Sequence, residues 1–227
     1  MISSGKERIL IIAPHADDEV LGCGGLIEKA CRLNNEVKVI VVAVGDITHT
    51  HSGEKVLAET RISELKEALE VLGCVNFEVM YTDKDSLLDT IPRYEIISKL
   101  DTIIDSFLPT IVFIPLPSYH QDHIVLFEAC FASLRPKPNH LIKLIAVYEY
   151  PLISWQFKKF WNTGELYLDI SDTIEKKVEA FLKHKSQRRP AKHLISPESV
   201  KKWAEMRGLE SGLEYAEKYY ILRSYIL

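Results

Sequence analysis

Residues Arg8–Gly25 have the sequence RILIIAPHADDEVLGCGG, in which an aliphatic run leads into a proline, a histidine and three consecutive acids. The run predicts a buried β-strand, and the polar residues follow directly at its end. In an open α/β sheet, ligands bind in the crevice outside the carboxyl ends of the strands. We therefore expect a functional site immediately after the first strand.

A second polar cluster, His120–His123 (HQDH), follows the apolar run Thr110–Pro115. Parallel strands place both clusters at the same edge of a sheet. His15, Asp18 and His123 then supply two imidazoles and a carboxylate, which is the ligand set of a catalytic zinc site with an open fourth position. The same set binds non-haem iron(II), so zinc and iron(II) are both candidate metals.

Apolar runs rich in β-branched residues alternate with helical spacing from Arg8 to Leu134, which predicts βαβ units and a mainly parallel sheet. The chain shows no linker or internal repeat, so we expect a single domain over residues 1–227, with a Rossmann-like α/β fold and helices flanking the sheet. The later predicted strands are Glu36–Val44, Phe77–Tyr81, Thr110–Pro115, Leu141–Tyr150 and Glu165–Ile170. The predicted helices are Gly24–Asn34, Glu54–Leu72, Pro92–Phe107, Asp172–Lys185 and a capped C-terminal helix from Ser196 to Tyr220.

The composition is that of an ordinary globular protein, with 47% hydrophobic and 26% charged residues. A formal charge of −4 predicts no general affinity for nucleic acid or for an anionic membrane. No stretch approaches the roughly 18 apolar residues of a membrane span, and the charged N-terminus is unlike a secretory signal. The four cysteines lack close paired spacing and are expected to be reduced thiols, so we expect a cytoplasmic protein without stable membrane insertion.

Two stretches, Pro14–Glu19 with the following GCGG and His120–His123, resemble the signature motifs of the LmbE-like family, also called the PIG-L family. The resemblance implies a metal-dependent deacetylase that acts on a small N-acetylglucosamine conjugate, with zinc as the metal, and members of that family often form homo-oligomers. Ala16 and Gln121 stand where the family usually has proline. Neither position carries chemistry, so the expected ligands are unaffected.

The remaining polar residues of the two motifs take roles in amide hydrolysis. Asp17 is expected to be the general base that accepts a proton from the attacking water. His120, if protonated, donates to the developing oxyanion or to the departing nitrogen, and Asp122 is expected to orient that imidazole. The sequence does not decide which group protonates the amine, and it does not identify the sugar conjugate.

Two further residues are candidate substrate contacts through weaker similarity to the family. Arg61 lies in an R-x-x-E-L helix whose arginine faces the pocket, and the alternative is a helix-face charge paired with Glu64. His184 lies in a segment that resembles a family segment near the pocket. The basic run Lys183–Arg189 is interpreted as a solvated face, with phosphate binding as the minority alternative.

Other interpretations of the same residues remain open. The acids Asp17–Glu19 also suit the first turn of a helix, where they stabilise its N-terminus. His49 and His51 are either additional ligands or solvated loop residues, and the aromatic stretch Trp155–Trp161 is either a sugar-stacking lid or packing. A dinucleotide site is disfavoured because Ile27 occupies the position of the last glycine of that fingerprint.

Two rival functions use the same fold or the same ligands. One is a non-catalytic sugar-binding or regulatory protein that retains the metal. The other is an iron(II) oxygenase with the same facial triad, against which the alternating α/β pattern argues.

Overall fold

The aliphatic run at the start of the chain forms the central strand of the sheet. In the computed structural model, which describes residues 1–48, 53–138, 141–153 and 164–225, β1 is Arg8–Ala13, and Ile9–Ala13 have no solvent exposure. The remaining strands are β2 Glu36–Ala43, β3 Ile47–Thr48, β4 Lys55–Val56, β5 Phe77–Tyr81, β6 Ile111–Pro115, β7 Leu144–Tyr148, β8 Gly164–Asp169 and β9 Ala216–Ser224. The helices are α1 Asp18–Arg32, α2 Ala58–Val71, α3 Arg93–Phe107, α4 Gln121–Ser133, α5 Ile174–Phe181 and α6 Pro197–Ser211. Short 3-10 helices occur at Ile2–Ser4, Leu88–Thr90 and Pro151–Ile153.

Seven strands form one sheet in the order β5-β2-β1-β6-β7-β9-β8. The first five are parallel, and β9 pairs antiparallel with both β7 and β8. The chain runs outward from β1 to β5 and then returns to place β6 on the other side of β1. The strand order therefore reverses between β1 and β6, which is where ligand sites form in open α/β sheets. The predicted α/β class with a mainly parallel sheet and flanking helices is confirmed.

The C-terminal helix is shorter than predicted. Helix α6 ends at Ser211, because Gly212 adopts a left-handed conformation (φ 76°) and donates its N–H to the carbonyl of Gly208. The segment Ala216–Ser224, predicted as helix as far as Tyr220, is strand β9. Its first five residues are buried between two neighbouring strands, so the alternation of polar and apolar residues that marks a half-exposed strand is missing.

Three other helix boundaries also differ from the prediction. Helix α1 begins at Asp18 rather than Gly24, so Asp18 and Glu19 lie in its first turn. Helix α2 begins at Ala58 rather than Glu54, because Lys55 and Val56 form strand β4 and pair with β3. Helix α5 ends at Phe181 rather than near Lys185. Within the described residues, none of the helices combines the length and apolar character needed to cross a membrane.

Helix α1 packs closely through its glycines. A Cβ atom at Gly22 would lie 2.2 Å from the ring of Tyr148, and one at Gly25 would lie 2.5 Å from Ile170. Larger residues at these positions would push α1 away from the sheet. The glycines of the GCGG segment therefore serve packing rather than phosphate binding.

A buried ion pair fastens the same helix to β9. The carboxylate of Glu217 accepts hydrogen bonds from the N–H groups of Gly25 and Leu26, both at 2.8 Å. It also accepts from Lys177 Nζ at 2.6 Å, and the side chains of Lys177 and Glu217 are 4% and 3% exposed. One carboxylate thus joins α1, α5 and β9 in the interior.

Candidate metal centre and active-site cleft

The two polar clusters meet at the predicted edge of the sheet. His15 and Asp17 lie in the turn between β1 and α1, and Asp18 is the first residue of α1. His120 is the N-cap of α4, and His123 lies in the first turn of that helix. Strands β1 and β6 are direct neighbours, so the parallel pairing brings together residues more than a hundred positions apart.

Three predicted ligands converge in the interior. Asp18 Oδ2 lies 3.3 Å from His15 Nδ1 and 3.3 Å from His123 Nε2, and the ligand atoms of the three residues lie within 4.8 Å of one another. All three residues are buried. Two imidazole nitrogens and one carboxylate oxygen at these separations fit a divalent zinc or iron ion.

The orientation of His15 also fits a metal ligand. Its Nε2 lies 2.9 Å from Asp122 Oδ2, which leaves Nδ1 directed toward Asp18 and the ligand cluster. Histidine ligands commonly use their second nitrogen in this way, with a carboxylate that fixes the ring and its tautomer. The ring of His123 is held differently, by stacking on Tyr150 at a centroid distance of 5.0 Å.

Close contact among His15, Asp18 and His123 shifts the pKa values of His15 and Asp18. Burial lowers the pKa of His15, but the hydrogen bonds that its ring donates to the carboxylates of Asp122 and Asp18 outweigh this effect and raise that pKa to about 10. Burial acts to raise the pKa of Asp18, and the neighbouring His123 and His15 hold it well below its usual range instead. The Asp18 carboxylate is therefore ionised, as a metal ligand must be.

Asp17 has a backbone conformation that a non-glycine residue rarely adopts, with φ 126° and ψ −28°. Its N–H donates to Glu19 Oε2 at 2.9 Å. The side chain lines the cleft, and burial together with the adjacent Asp18 carboxylate raises the pKa of Asp17 to about 8. A divalent cation held beside it would lower that pKa, which leaves a carboxylate able to accept a proton near neutral pH.

The carboxylate of Asp122 has a different partner from the one predicted. It contacts His15 Nε2 and accepts from the N–H of Leu88 at 3.0 Å, so it orients His15 rather than His120. Only the backbone N–H of Asp122 contacts His120, through Nδ1 at 3.3 Å. His120 and Asp122 are two residues apart at the start of α4, but their side chains have different partners. Their proximity in the sequence does not reveal this difference.

His120 stands at the cleft with an imidazole that favours the neutral form. Burial lowers its pKa, and the nearby imidazoles of His15 and His123 lower it further. Because Nδ1 accepts the Asp122 N–H, the neutral ring carries its proton on Nε2, which lies 3.4 Å from Ser86 Oγ. His120 can therefore donate a hydrogen bond from Nε2 without being protonated at both nitrogens.

A cleft of about 400 Å³ opens over the cluster. Arg61 is on its wall, as predicted, and donates to Asp85 Oδ2 at 2.6 Å and to the carbonyl of Gly45 at 2.9 Å. The alternative pairing with Glu64 is wrong, because the Glu64 carboxylate accepts from the N–H and hydroxyl of Ser186. Asp85 was not predicted as a site residue. Its position in the sequence shortly after β5, at the same edge of the sheet, could have indicated it.

His184 does not line the cleft, so its predicted substrate contact is wrong. The residue is 1% exposed, and its Nε2 lies 2.9 Å from Glu19 Oε1, with Glu19 itself fully buried. Gln187 and Arg189, which belong to the run Lys183–Arg189 that was interpreted as a solvated face, line the cleft a few residues further along. His49, His51 and the aromatic stretch Trp155–Trp161 lie outside the described residues.

Comparison with known proteins identifies the family of the chain. The profile of the PIG-L family, described as GlcNAc-PI de-N-acetylase, matches residues 10–134, which include both motifs. An uncharacterized deacetylase of Escherichia coli, YaiS, is 28% identical over 82% of this chain and 96% of its own length. The diacetylchitobiose deacetylase of Thermococcus kodakarensis is 29% identical over 80% of this chain and 70% of its own.

Similarity to solved structures extends over nearly the whole chain. The N,N'-diacetylchitobiose deacetylase of Pyrococcus horikoshii superposes with a TM-score of 0.75 at 25% identity, covering 95% of this chain and 84% of its own. The protein belongs to the PIG-L, or LmbE-like, family, and the three relatives named here are described as deacetylases.

Proposed function

We propose that this protein is a zinc-dependent hydrolase that removes the acetyl group from an N-acetylglucosamine-type conjugate. The observation that carries the proposal is the buried cluster of His15, Asp18 and His123 at the floor of an open cleft, with Asp17 beside it. The two relatives named above as diacetylchitobiose deacetylases act on an N-acetylated sugar, which supports the substrate class. The free cysteines of the described chain suit the reducing conditions of the cytoplasm.

His15, Asp18 and His123 would hold the metal. When bound, a zinc ion supplies a Lewis acid that polarises the acetamide carbonyl and acidifies water. Zinc is preferred to iron(II) because hydrolysis needs no redox change. Asp122 acts through its 2.9 Å contact with His15, which fixes the orientation of that ligand.

Asp17 and His120 carry the proton transfers. Asp17 accepts a proton from the water that attacks the acetamide carbon. The Nε2–H of His120 donates to the acetamide oxygen as negative charge develops there. The C–N bond then breaks to give acetate and a free amine, and Asp17 or His120 protonates the departing nitrogen.

Arg61 is the proposed contact for the sugar. Its ion pair with Asp85 fixes the guanidinium at the wall of the cleft. Its Nε atom is buried and has no hydrogen-bond partner among the residues that the structure describes. A substrate hydroxyl is a suitable acceptor for such a donor.

The test is mass spectrometry of a panel of N-acetylglucosamine conjugates after incubation with zinc-loaded protein. Replacement of one acetyl group by hydrogen lowers the mass by about 42 units. We expect this loss for at least one conjugate. The Asp17→Asn variant, with its zinc content verified, serves as the control and should lose this activity. If no conjugate is deacetylated by folded, metal-loaded protein, a non-catalytic sugar-binding role replaces the proposal.

A further inference from the structure

The two histidines proposed as metal ligands, His15 and His123, have different surroundings. The second nitrogen of His15 contacts the carboxylate of Asp122 at 2.9 Å. The imidazole of His123 directs Nε2 toward Asp18 at 3.3 Å, and its Nδ1 is buried without a hydrogen-bond partner among the residues that the structure describes. Within that part of the chain, no hydrogen bond at the second nitrogen fixes the orientation of the His123 ring.

The face of the His123 ring lies against Tyr150. The two ring centroids are 5.0 Å apart and the ring planes are inclined by 28°, which is a stacked arrangement. Tyr150 is buried, and it belongs to the wall of the cleft. An aromatic face adds no charge to a centre that already contains the carboxylates of Asp17 and Asp18. It also attracts an imidazole that becomes more positive when its nitrogen binds a metal.

The hydroxyl of Tyr150 connects the same side chain to His120. It donates to Ser118 Oγ at 2.9 Å, and Ser118 Oγ also accepts the backbone N–H of His120 at 3.3 Å. A hydroxyl oxygen has two lone pairs and can accept both hydrogen bonds. His120 is the N-cap of α4, and His123 lies in the first turn of that helix. Tyr150 thus contacts one functional residue of this helix directly and the other through a single hydroxyl.

The residue before Tyr150 anchors this part of the chain to the C-terminal elements. Glu149 is buried, and its carboxylate accepts two hydrogen bonds from the guanidinium of Arg207 on α6, one of them from Nη2 at 3.0 Å. The same carboxylate accepts from the hydroxyl of Tyr220 on β9 at 3.0 Å. A bidentate pair between arginine and a carboxylate has a defined geometry. The backbone that carries Tyr150 is therefore fixed by both α6 and β9.

We propose that Tyr150 is a positioning residue for the metal centre. Its ring holds His123 in the orientation of a metal ligand, as a carboxylate does for His15. Its hydroxyl acts through Ser118 to hold the start of α4, and with it His120, at the cleft. The inference rests on the proposed metal-dependent reaction, and it gives Tyr150 a role that is separate from metal binding and from proton transfer.

Zinc affinity, measured by competition with a chelator, tests the role of the ring. Tyr150→Leu removes the aromatic face and keeps an apolar side chain, so zinc affinity should fall by about tenfold. Tyr150→Phe keeps the ring and should bind zinc within about threefold of the wild type. Tyr167→Leu is the matched control, because Tyr167 lies on β8 and does not line the cleft, and its zinc affinity should equal that of the wild type.

Circular dichroism and thermal unfolding of the metal-free proteins verify that each variant is folded. If Tyr150→Leu does not fold, Tyr150→Met, which fills the space with a flexible apolar side chain, takes its place with the same expected result. Equal zinc affinity in the wild type and in the folded variants that lack the ring would overturn the role of the ring.

The rate of acetate release at saturating zinc tests the role of the hydroxyl. Tyr150→Phe and Ser118→Ala each remove one partner of the same hydrogen bond, so kcat should fall by about tenfold with KM little changed. The double variant should be no slower than Ser118→Ala, because both changes act through one hydrogen bond. Tyr167→Phe removes a hydroxyl outside the cleft and should keep the wild-type kcat. Unchanged kcat in Tyr150→Phe and Ser118→Ala would refute the role of the hydroxyl.

The zinc measurement separates this inference from the proposed reaction. If zinc affinity falls in Tyr150→Leu and is retained in Tyr150→Phe, while no conjugate loses acetate, the deacetylation proposal fails and the positioning of His123 stands. If the wild type releases acetate and the Tyr150 variants match it in zinc affinity and in kcat, deacetylation stands and the inference is wrong.

Discussion

The imidazole of His184 and the carboxylate of Glu19 form a hydrogen bond of 2.9 Å in the interior, although 164 residues separate them in the chain. The second oxygen of Glu19 accepts from the N–H of Asp17. These two hydrogen bonds of Glu19 stabilise the unusual backbone conformation of Asp17. It makes Glu19 and His184 positioning residues for the proposed base, and neither side chain lines the cleft.

Glu19→Gln should therefore impair catalysis without removing a group that contacts substrate. We expect kcat to fall by about tenfold or more, because a small displacement of a catalytic group is costly, with KM and zinc content little changed. The free energy of unfolding should fall by about 1–3 kcal/mol, the usual cost of a buried hydrogen bond left incomplete. Steady-state kinetics and urea unfolding measure both effects.

The matched control is Glu28→Gln on the same helix. Glu28 forms a surface ion pair with Arg32, at 3.0 Å, and its loss should change stability by less than about 1 kcal/mol. If Glu19→Gln behaves like this control in kcat and in stability, the supporting role is wrong.

Replacing Asp17 with glycine should separate stability from activity. Glycine adopts positive φ without strain, so Asp17→Gly should raise the free energy of unfolding by about 1–3 kcal/mol, while acetate release falls by about 10²-fold or more. Asn34→Gly, at φ 60°, is the comparison, and little gain is expected there because asparagine tolerates that conformation. A less stable Asp17→Gly protein would contradict the assignment of strain to this turn.

Asp122→Asn tests the link between the metal centre and its surroundings. The variant keeps the shape of the side chain and removes the charge that faces His15 at 2.9 Å. Zinc affinity, measured by competition with a chelator, should fall by about 10–100-fold. Asp89→Asn, at an exposed position in the preceding 3-10 helix, should bind zinc as the wild type does. Equal affinity in both variants would show that Asp122 does not orient the ligand.

The pair of Lys177 and Glu217 should contribute to stability and not to chemistry. Glu217→Ala leaves the Lys177 ammonium buried without a counter-charge, so the free energy of unfolding should fall by about 3–5 kcal/mol. The double variant Glu217→Gln, Lys177→Met should recover part of this loss, because no charge remains buried. Lys176→Met, which removes an exposed partner of Glu179, is the control. Denaturant unfolding gives all four values, and a mild Glu217→Ala variant would refute the prediction.

The convergence of the two motifs could be predicted from the sequence, because it follows from the local pattern of each strand and from the parallel topology. The apolar runs before Pro14 and before the His120 cluster identified two strands, and parallel pairing then required their ends to meet. The alternation of strands and helices was sufficient for the fold class. These features depend on the order of elements along the chain, which the sequence contains directly.

The errors concern relationships that the local sequence does not contain. The partner of Asp122 depends on the direction of one side chain in the first turn of α4. The contact between His184 and Glu19 depends on how the segment after α5 crosses the molecule. Strand β9 was mistaken for helix because burial on both faces removes the periodic signal, although Gly212 marked the end of α6.

The position of β9 between β7 and β8 has a consequence for how the molecule is assembled. Among the described strands, β8 pairs with β9 alone, so residues 164–169 have no place in the sheet until residues 216–224 have joined it. Long-range pairing of this kind is slow compared with local structure. All the proposed metal ligands precede Leu134, so the part of the chain that contains them emerges from the ribosome before the two strands that complete the sheet.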